Sequence, residues 1–278
     1  MAVTNDWGQA SVNNTIDYGD GAIDNTINWG KVYDSSASGD TNIGTSVTPS
    51  FTNTKSIALD GVDDFCETAS TYSELDGQTK MTFSCWIKPT SATTSVIASI
   101  KDSGSTEQFR VVFHSSRYII IRTHTGNGRD TRTANSSITL NVWTHISFCL
   151  DFALSSGSKG KIFINGVDAT SADSMNQTSI NTSGGGLRIG ARDVSSLLPF
   201  TGLIDESAIW SGSDQRANVS EIYGGGVAVD LNALATAPNP TTWYRMGDGD
   251  TAPTIQDTNG SANLTMTNFT TFSTDVPT

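Results

Sequence analysis

The sequence predicts an all-β protein built as an antiparallel β-sandwich that carries an N-terminal arm. Three observations support this prediction. Charged residues make up only 16% of the 278 residues, while glycine occurs 26 times. Threonine and serine are also abundant, and such usage favours strands and tight turns over helix bundles. Short apolar–polar alternations recur between turns about every 8–12 residues, which is typical of two packed sheets.

An 11-residue repeat fills the first thirty residues and predicts the arm. Asp-Trp-Gly at 6–8 returns as Asp-Tyr-Gly at 17–19 and as Asn-Trp-Gly at 28–30. The glycine, asparagine and threonine content opposes helix, so we expect short strands broken by glycine turns. Such a short repeat cannot bury its aromatic rings alone. It therefore packs on another surface, which is a partner, a second copy or its own domain. The expected assembly residues are Trp7, Tyr18 and Trp29.

The chain divides into three segments on composition and pattern. Residues 1–49 form the repeat arm and a linker rich in serine, glycine and aspartate. Residues 50–226 form the sandwich, and residues 227–278 form a C-terminal segment that we expect to pack back on the sandwich as edge strands.

Strand 81–89 has the clearest pattern, because Met81, Phe83, Cys85 and Ile87 alternate with polar residues and Trp86. Asn165-Gly166 predicts a type I′ hairpin turn. A helix is predicted at 213–223, with Gly224 as its C-cap. The other predicted strands are 108–113, 118–123, 141–150, 161–164, 187–190 and 202–210.

Six of these segments resemble, in sequence and in order, the laminin-G-like, concanavalin A-like jelly roll. They are Ser-Ile-Ala-Leu-Asp-Gly-Val-Asp-Asp-Phe at 56–65, Met-Thr-Phe-Ser-Cys-Trp-Ile-Lys-Pro at 81–89, Trp-Thr-His-Ile-Ser at 143–147, 161–167, Leu-Arg-Ile-Gly at 187–190, and Phe-Thr-Gly-Leu-Ile-Asp-Glu at 200–206. The resemblance covers roughly 60% of the chain and implies the jelly-roll fold. Trp-Tyr-Arg-Met-Gly-Asp at 243–248 resembles an element that normally precedes the opening strand, so we expect a permuted closure.

The combination of repeat arm, jelly roll and C-terminal segment also resembles structural proteins of tailed bacteriophages. That resemblance implies a non-enzymatic virion protein of the head-decoration or fibre type, anchored through the arm. Its partners would be other virion proteins and further copies of itself, as a homo-oligomer. The alternative is a carbohydrate-binding adhesion module that recognises host surface glycans. A glycan hydrolase or lyase on the same fold is the weakest alternative.

Charge and cysteine usage restrict the partners and the compartment. The formal net charge of −12 argues against nucleic acid and anionic membranes as partners. No apolar run is long enough to span a bilayer, and the N-terminus has no pattern of a signal peptide. Three widely spaced cysteines predict buried free thiols from a reducing compartment. These features agree with assembly in a host cytoplasm and localisation in a virion.

We expect no catalytic residues. Asp205-Glu206 is the only carboxylate pair on a matching strand, and adjacent strand residues point to opposite faces. No Gly-x-Ser-x-Gly sequence occurs. His145 belongs to a predicted core strand, while His114 and His124 are too few for a zinc site.

Two ligand sites are predicted. The jelly-roll resemblance implies a structural Ca2+ as the sole cofactor candidate, although aspartates in Asp-Gly turns also serve as Asx-turn residues. A second acidic candidate is Asp248, Asp250 and Asp257. A glycan would stack on a solvent-facing aromatic ring beside polar loop residues, unless the arm or tail covers them. The calcium residues are Asp60, Asp63, Asp64 and Asp205, and the glycan residues are Trp86, Asn127, Arg129 and Asp130.

Overall fold

The computed structural model describes residues 51–101, 107–123, 130–182, 184–192 and 197–278, together with four short strands in the first 50 residues. The chain forms two compact units, Met1–Thr52 and Asn53–Thr278.

The first unit contains two antiparallel strand pairs. The strands are β1 (Thr4–Asp6), β2 (Thr15–Asp17), β3 (Lys31–Val32) and β4 (Thr45–Ser46), and β1 pairs with β2 while β3 pairs with β4. β2 starts 11 residues after β1, which is the period of the sequence repeat. The side chains of Trp7, Tyr18 and Trp29 lie outside the described residues.

In its described residues, the second unit is a two-layer sandwich with one short α-helix, which a 3-10 turn at Gly224–Gly226 follows. The helix, α1, spans Val219–Tyr223. The strands are β5 (Ser56–Asp60), β6 (Phe65–Thr68), β7 (Lys80–Pro89), β8 (Ser95–Lys101), β9 (Glu107–Phe113), β10 (Ile119–Arg122), β11 (Asp130–Thr133), β12 (Thr144–Asp151), β13 (Gly160–Ile164), β14 (Val167–Asp168), β15 (Thr170–Asp173), β16 (Leu187–Ile189), β17 (Thr201–Ser211), β18 (Thr242–Tyr244), β19 (Thr254–Ile255), β20 (Leu264–Thr267) and β21 (Phe272–Ser273).

All strand pairings in the sandwich are antiparallel, which confirms the predicted fold class. One sheet has the order β15-β11-β10-β9-β8-β16-β6-β20-β19. The other has the order β14-β13-β12-β7-β17-β5-β21, and β18 pairs with β17. The C-terminal segment therefore contributes strands to both sheets, and two of them, β19 and β21, form edges.

The core lies between the two sheets and follows the two-residue period of the strands. Met81, Phe83, Cys85 and Ile87 of β7 all point into it and are fully or almost fully buried. Phe109 of β9 stands opposite them, with its ring centre 5.8 Å from that of Phe83. The alternation in β7 thus predicted the inner face of the sandwich correctly.

Helix α1 is shorter than predicted, because residues 213–215 are irregular and residues 216–218 form a turn before the helix begins at Val219. The Asp214 carboxylate accepts a hydrogen bond from the backbone N–H of Arg216, and Thr82 Oγ1 accepts one from that of Gln215. Side-chain acceptors of this kind compete with helical hydrogen bonding. The C-cap prediction is confirmed, since Gly224 has a φ of 67° and donates its N–H to the Glu221 carbonyl.

The three cysteines are buried free thiols, as predicted. Burial raises the pKa of Cys66 and Cys85 well above the ordinary value for a thiol, so both side chains are neutral. Across the described residues, none of the helices has the length and apolar character needed to traverse a bilayer.

Candidate functional site

The hairpin of β9 and β10 presents alternate residues to solvent on the outer face of the nine-stranded sheet. Phe109, Val111 and Phe113 point into the core, so Arg110 and Val112 point outward. β10 continues the pattern, and its register places Arg122 opposite Arg110 and Ile120 opposite Val112. Each outward position on one strand therefore meets an outward position of similar character on the other.

These outward residues line a cavity of about 240 Å³, which we call the outer groove. Its lining residues are Thr94, Arg110, Val112, His114, Tyr118, Ile120, Arg122 and Leu198. Val112, Tyr118 and Ile120 cluster with Val96 beneath it and form an apolar floor, against which Leu198 packs. The groove therefore combines an apolar centre with polar groups at its margins, the general composition of a small-molecule site.

An aromatic pair forms one end of the outer groove. The imidazole ring of His114 stacks on the ring of Tyr118, with ring centres 4.4 Å apart and planes inclined by 29°. The backbone N–H of Ser116 donates to His114 Nδ1 over 3.0 Å. Since Nδ1 accepts this hydrogen bond, the neutral ring carries its proton on Nε2 and has a donor available there.

Asp130 lies beside the outer groove and holds one of its arginines. Both Nε and Nη2 of Arg122 donate to Asp130 Oδ2, each over 3.2 Å. The Asp130 backbone carbonyl also accepts a hydrogen bond from Ser174 Oγ. The predicted glycan residue Asp130 therefore orients an arginine of the groove, while Asn127 and Arg129 lie outside the described residues.

A second cavity, of about 610 Å³, opens on the outer face of the same sheet near β6, β16 and β20. Arg188 of β16 makes a two-point ion pair with Glu67 of β6, at 2.6 and 3.2 Å. The Arg188 guanidinium also lies 4.0 Å from the centre of the Phe65 ring. Ion pairing and cation–π packing satisfy the charge of this arginine within the protein.

The turn between β5 and β6 brings three of the predicted calcium residues together. One carboxylate oxygen from each of Asp60, Asp63 and Asp64 lies within 4.8 Å of the other two. Asp60 Oδ1 accepts a hydrogen bond from the Val62 N–H in an Asx turn, and Asp64 Oδ2 accepts one from the Asp60 N–H, so two of the three carboxylates also hold the turn. Oxygen donors of this kind suit Ca2+, and the calcium site stays a prediction.

Asp205 does not join that cluster, and its assignment as a calcium residue is wrong. Thr201 is the β17 residue that pairs with Asp60, and Asp205 lies four positions further along the strand, a distance of about 13 Å. Asp205 is fully buried and accepts hydrogen bonds from Asn53 Nδ2 and from the Glu206 N–H, both over 2.8 Å.

Asp205 belongs instead to a buried carboxyl pair with Glu206. Trp243 Nε1 donates to Glu206 Oε2 over 2.6 Å, and Arg245 Nε lies 3.4 Å from Oε1. Burial raises the pKa of Asp205 well above its usual range, and the nearby Glu206 charge raises it further. Burial also raises the pKa of Glu206, to about 7, although Arg245 and Trp243 act to lower it.

A β-bulge between Asp205 and Ala208, with Glu206 at a φ of 48°, changes the strict alternation assumed from the sequence. The strict alternation expected from the sequence is therefore interrupted at this pair, and the Glu206 charge acts on the Asp205 carboxyl group. Both residues are buried, since Asp205 and Glu206 are 0% and 4% exposed.

Trp86 is covered, so the prediction that its ring offers an open stacking face is wrong. It points away from the core on the eight-stranded sheet, but only 3% of it is exposed. The His145 ring packs at 5.1 Å and the Tyr223 ring of α1 at 5.7 Å. His145 Nε2 lies 2.9 Å from Ser84 Oγ, and burial lowers the pKa of His145 to about 3. These residues form a neutral packing layer beneath α1.

Sequence reasoning missed the outer groove, although a signal was present. Arginine, an apolar residue and histidine occur at every second position from 110 to 114, and tyrosine, isoleucine and arginine repeat the pattern from 118 to 122. The two triplets are mirror images about the predicted hairpin turn. They therefore place like residues opposite each other on one face.

Comparisons with known proteins agree with this fold. Residues 60–220 match the family described as the Concanavalin A-like lectin/glucanases superfamily. No curated protein matches the sequence. A heptameric SAP-like pentraxin from Limulus polyphemus superposes with a TM-score of 0.58 at 14% identity, covering 80% of this chain and 96% of that one.

Two further solved structures are less similar. Domain 4 of an extracellular arabinanase from Geobacillus stearothermophilus, solved with arabinotriose, has a TM-score of 0.41 and 19% identity, covering 60% of this chain and 76% of that one. A carbohydrate-binding module from a Ruminococcus gnavus sialidase, bound to sialyllactose, has a TM-score of 0.45 and 12% identity, covering 60% and 97%. At these identities the likeness concerns the fold alone.

Proposed function

This chain belongs to the concanavalin A-like lectin/glucanases superfamily, and on that premise we propose that it is a carbohydrate-binding module whose ligand occupies the outer groove. The observation that carries the proposal is the composition of the groove. An apolar floor of Val112 and Ile120 lies between hydrogen-bond donors on Arg110, His114 and Arg122.

A sugar ring has an apolar face of C–H groups and a rim of hydroxyls. The floor of the outer groove matches the first, since burial of apolar surface stabilises the complex. The guanidinium N–H groups and His114 Nε2–H match the second, because they donate to hydroxyl oxygens. The eight lining residues carry no carboxylate that could serve as general acid or nucleophile for a glycosidic bond. We therefore propose binding without catalysis.

Replacing His114 by Ala removes the ring that stacks on Tyr118 and one donor of the groove. We expect affinity for the bound glycan to fall by about 10-fold, which corresponds to an aromatic contact plus one hydrogen bond. The glycan is first identified by array screening of the intact chain, and affinities are then measured by isothermal titration calorimetry.

Ser116→Ala is the matched control, because Ser116 lies in the same turn but does not line the groove. Its backbone N–H to His114 is retained, so its affinity should equal that of the unmodified protein. Equal affinities for the His114 and Ser116 variants would place the ligand elsewhere on the molecule. Failure of every glycan on the array would contradict the proposed function itself.

A second candidate function is assembly through the first unit, as in a virion decoration or fibre protein. Two observations favour it: Met1–Thr52 forms a compact unit of its own, and two paired strands within it start one sequence repeat apart. We propose that this unit holds copies of the chain, or other virion proteins, together and displays the sandwich. Glycan binding and assembly are compatible, since they use different units.

Removing residues 1–52 tests the assembly role. We expect the full chain to be a homo-oligomer and the 53–278 fragment to be a folded monomer, since the sandwich has its own core. Size-exclusion chromatography with light scattering gives both masses. The fragment begins at Asn53 because this residue donates a hydrogen bond to Asp205. An oligomeric fragment, or a monomeric full chain, would contradict the assignment.

A further inference from the structure

The outer groove is basic on a protein that is strongly acidic. The formal net charge of the chain is −12. In contrast, the eight described residues that line the groove include Arg110 and Arg122 and no acidic side chain. Asp130, on the next strand, pairs with Arg122 from outside the lining. The charged side chains that line the groove are therefore of the opposite sign to the net charge of the chain.

The hairpin register holds the two arginines together. Arg110 and Arg122 are directly paired residues on β9 and β10, so their Cβ atoms are about 5 Å apart on the same outer face. Like charges placed directly opposite each other destabilise a strand pair. Asp130 compensates part of this repulsion through Arg122, and an anion bound between the two guanidinium groups would add to that compensation and accept charge-assisted hydrogen bonds.

The apolar floor of the groove favours binding of an anionic sugar over binding of other anions. Val112, Ile120 and Tyr118 present apolar surface immediately beside the arginines, and Leu198 closes one side. An inorganic anion gains nothing from such a surface. A sugar that carries an anionic substituent places the ring on the floor and the charge between the arginines. The net charge of the protein opposes nucleic acid, whose backbone repeats the negative charge far beyond the groove.

We propose that the outer groove selects acidic sugars, with the oxyanion of a carboxylate or sulfate group held between Arg110 and Arg122 and the ring resting on Val112 and Ile120. This inference rests on the proposed function and names its ligand class. Asp130 holds the Arg122 guanidinium at the edge of the groove through two hydrogen bonds and so positions it for the ligand.

The test compares acidic and neutral members of matched pairs with the intact protein. The probes are oligogalacturonate and its methyl ester, sialyllactose and lactose, and a sulfated galactose oligosaccharide with its desulfated form. We expect the acidic member of at least one pair to bind about 10-fold more tightly or better, and the gain to shrink as salt rises. The pair that shows the gain distinguishes a carboxylate from a sulfate ligand.

Arg110→Gln and Arg122→Gln should each reduce the acidic preference about 10-fold, with smaller effects on the neutral member. Arg117→Gln, in the turn of the same hairpin but outside the lining, should leave the preference unchanged. Neutral members that bind as tightly as the acidic ones would overturn the inference and leave the proposed function intact. An absence of binding to every probe would also overturn the inference, whereas the proposed function is decided by the full glycan array. The comparison of probes requires no variant to fold.

Discussion

Gly202→Ala will lower the free energy of unfolding by about 3 kcal/mol. Gly202 of β17 has a φ of 140°, a conformation that L-residues rarely adopt. A Cβ at this position would lie 2.3 Å from the Lys88 carbonyl oxygen and 2.9 Å from Pro89 Cα. Both atoms belong to the backbone of β7, so no side-chain rotation relieves the contact. The expected cost combines strained φ with separation of two central strands, and denaturant titration at pH 5 measures it.

Gly157→Ala separates the cost of the strained φ from the cost of the steric contact between strands. Gly157 also has a positive φ, at 84°, but a Cβ there would meet no atom within 4 Å. It therefore carries the conformational cost alone, which is about 1 kcal/mol. Equal losses for the two variants would mean that β17 and β7 do not approach as closely at Gly202 as the structure shows.

The same glycine illustrates what local sequence can predict. Gly202 stands in the segment Phe-Thr-Gly-Leu-Ile-Asp-Glu, one of the six that resemble the jelly roll. The two-residue period of β7 and the Asn165-Gly166 turn are also local signals, and both were predicted correctly; the turn residues have φ values of 50° and 76°. Elements of this kind depend on neighbours in sequence, so the fold class follows from the sequence.

The site residues depended on contacts that are distant in sequence. Whether Trp86 faces solvent is decided by Tyr223, which lies 137 positions later and covers it. The environment of Asp205 is decided by Asn53 and by a bulge that shifts the strand register. The strand pattern around a residue and the charge of that residue do not indicate which distant segments will pack against it. The acidic turn at Asp60, Asp63 and Asp64 was found because its members are close in sequence.

The outer groove could be predicted from the sequence only in part. Its arginines and apolar residues follow from the period of a hairpin that the sequence predicts. The walls of the groove cannot be predicted from that period, because Thr94 and Leu198 come from segments far apart along the chain. Alternation therefore could have indicated a face with paired arginines, while the cavity itself required the three-dimensional arrangement.

The carboxyl pair on β17 leads to the second large effect, which is a dependence of stability on pH. The Glu206 pKa is raised by burial from an ordinary value of 4.5 to about 7. Between these two pH values the folded protein binds more protons than the unfolded chain, so the Glu206 contribution to the free energy of unfolding falls as pH rises. The shift corresponds to about 3 kcal/mol, present in full below pH 4.5 and lost above pH 7. Asp205 acts in the same direction, since its pKa is also raised.

His145 acts in the opposite direction, because burial lowers its pKa from 6.5 to about 3 and its contribution grows as pH rises between those values. Both proteins contain His145, so its contribution cancels in the difference between the free energies of unfolding of Glu206→Gln and the unmodified protein. We expect the two proteins to have similar free energies of unfolding at pH 5, where Glu206 is protonated. At pH 8 the variant should be more stable by up to about 3 kcal/mol, because Gln still accepts the Trp243 hydrogen bond without a buried charge.

Urea titrations at half-unit steps from pH 5 to pH 8 measure that difference directly. Glu67→Gln is the control: Glu67 pairs with Arg188 at a partly exposed position, so its loss should cost the same at every pH in this range. A difference between the Glu206 variant and the unmodified protein that stays constant from pH 5 to pH 8 would show that Glu206 is ionised throughout. The Arg245 and Trp243 contacts would then outweigh the burial of the carboxylate, and the bulge would hold a permanent ion pair.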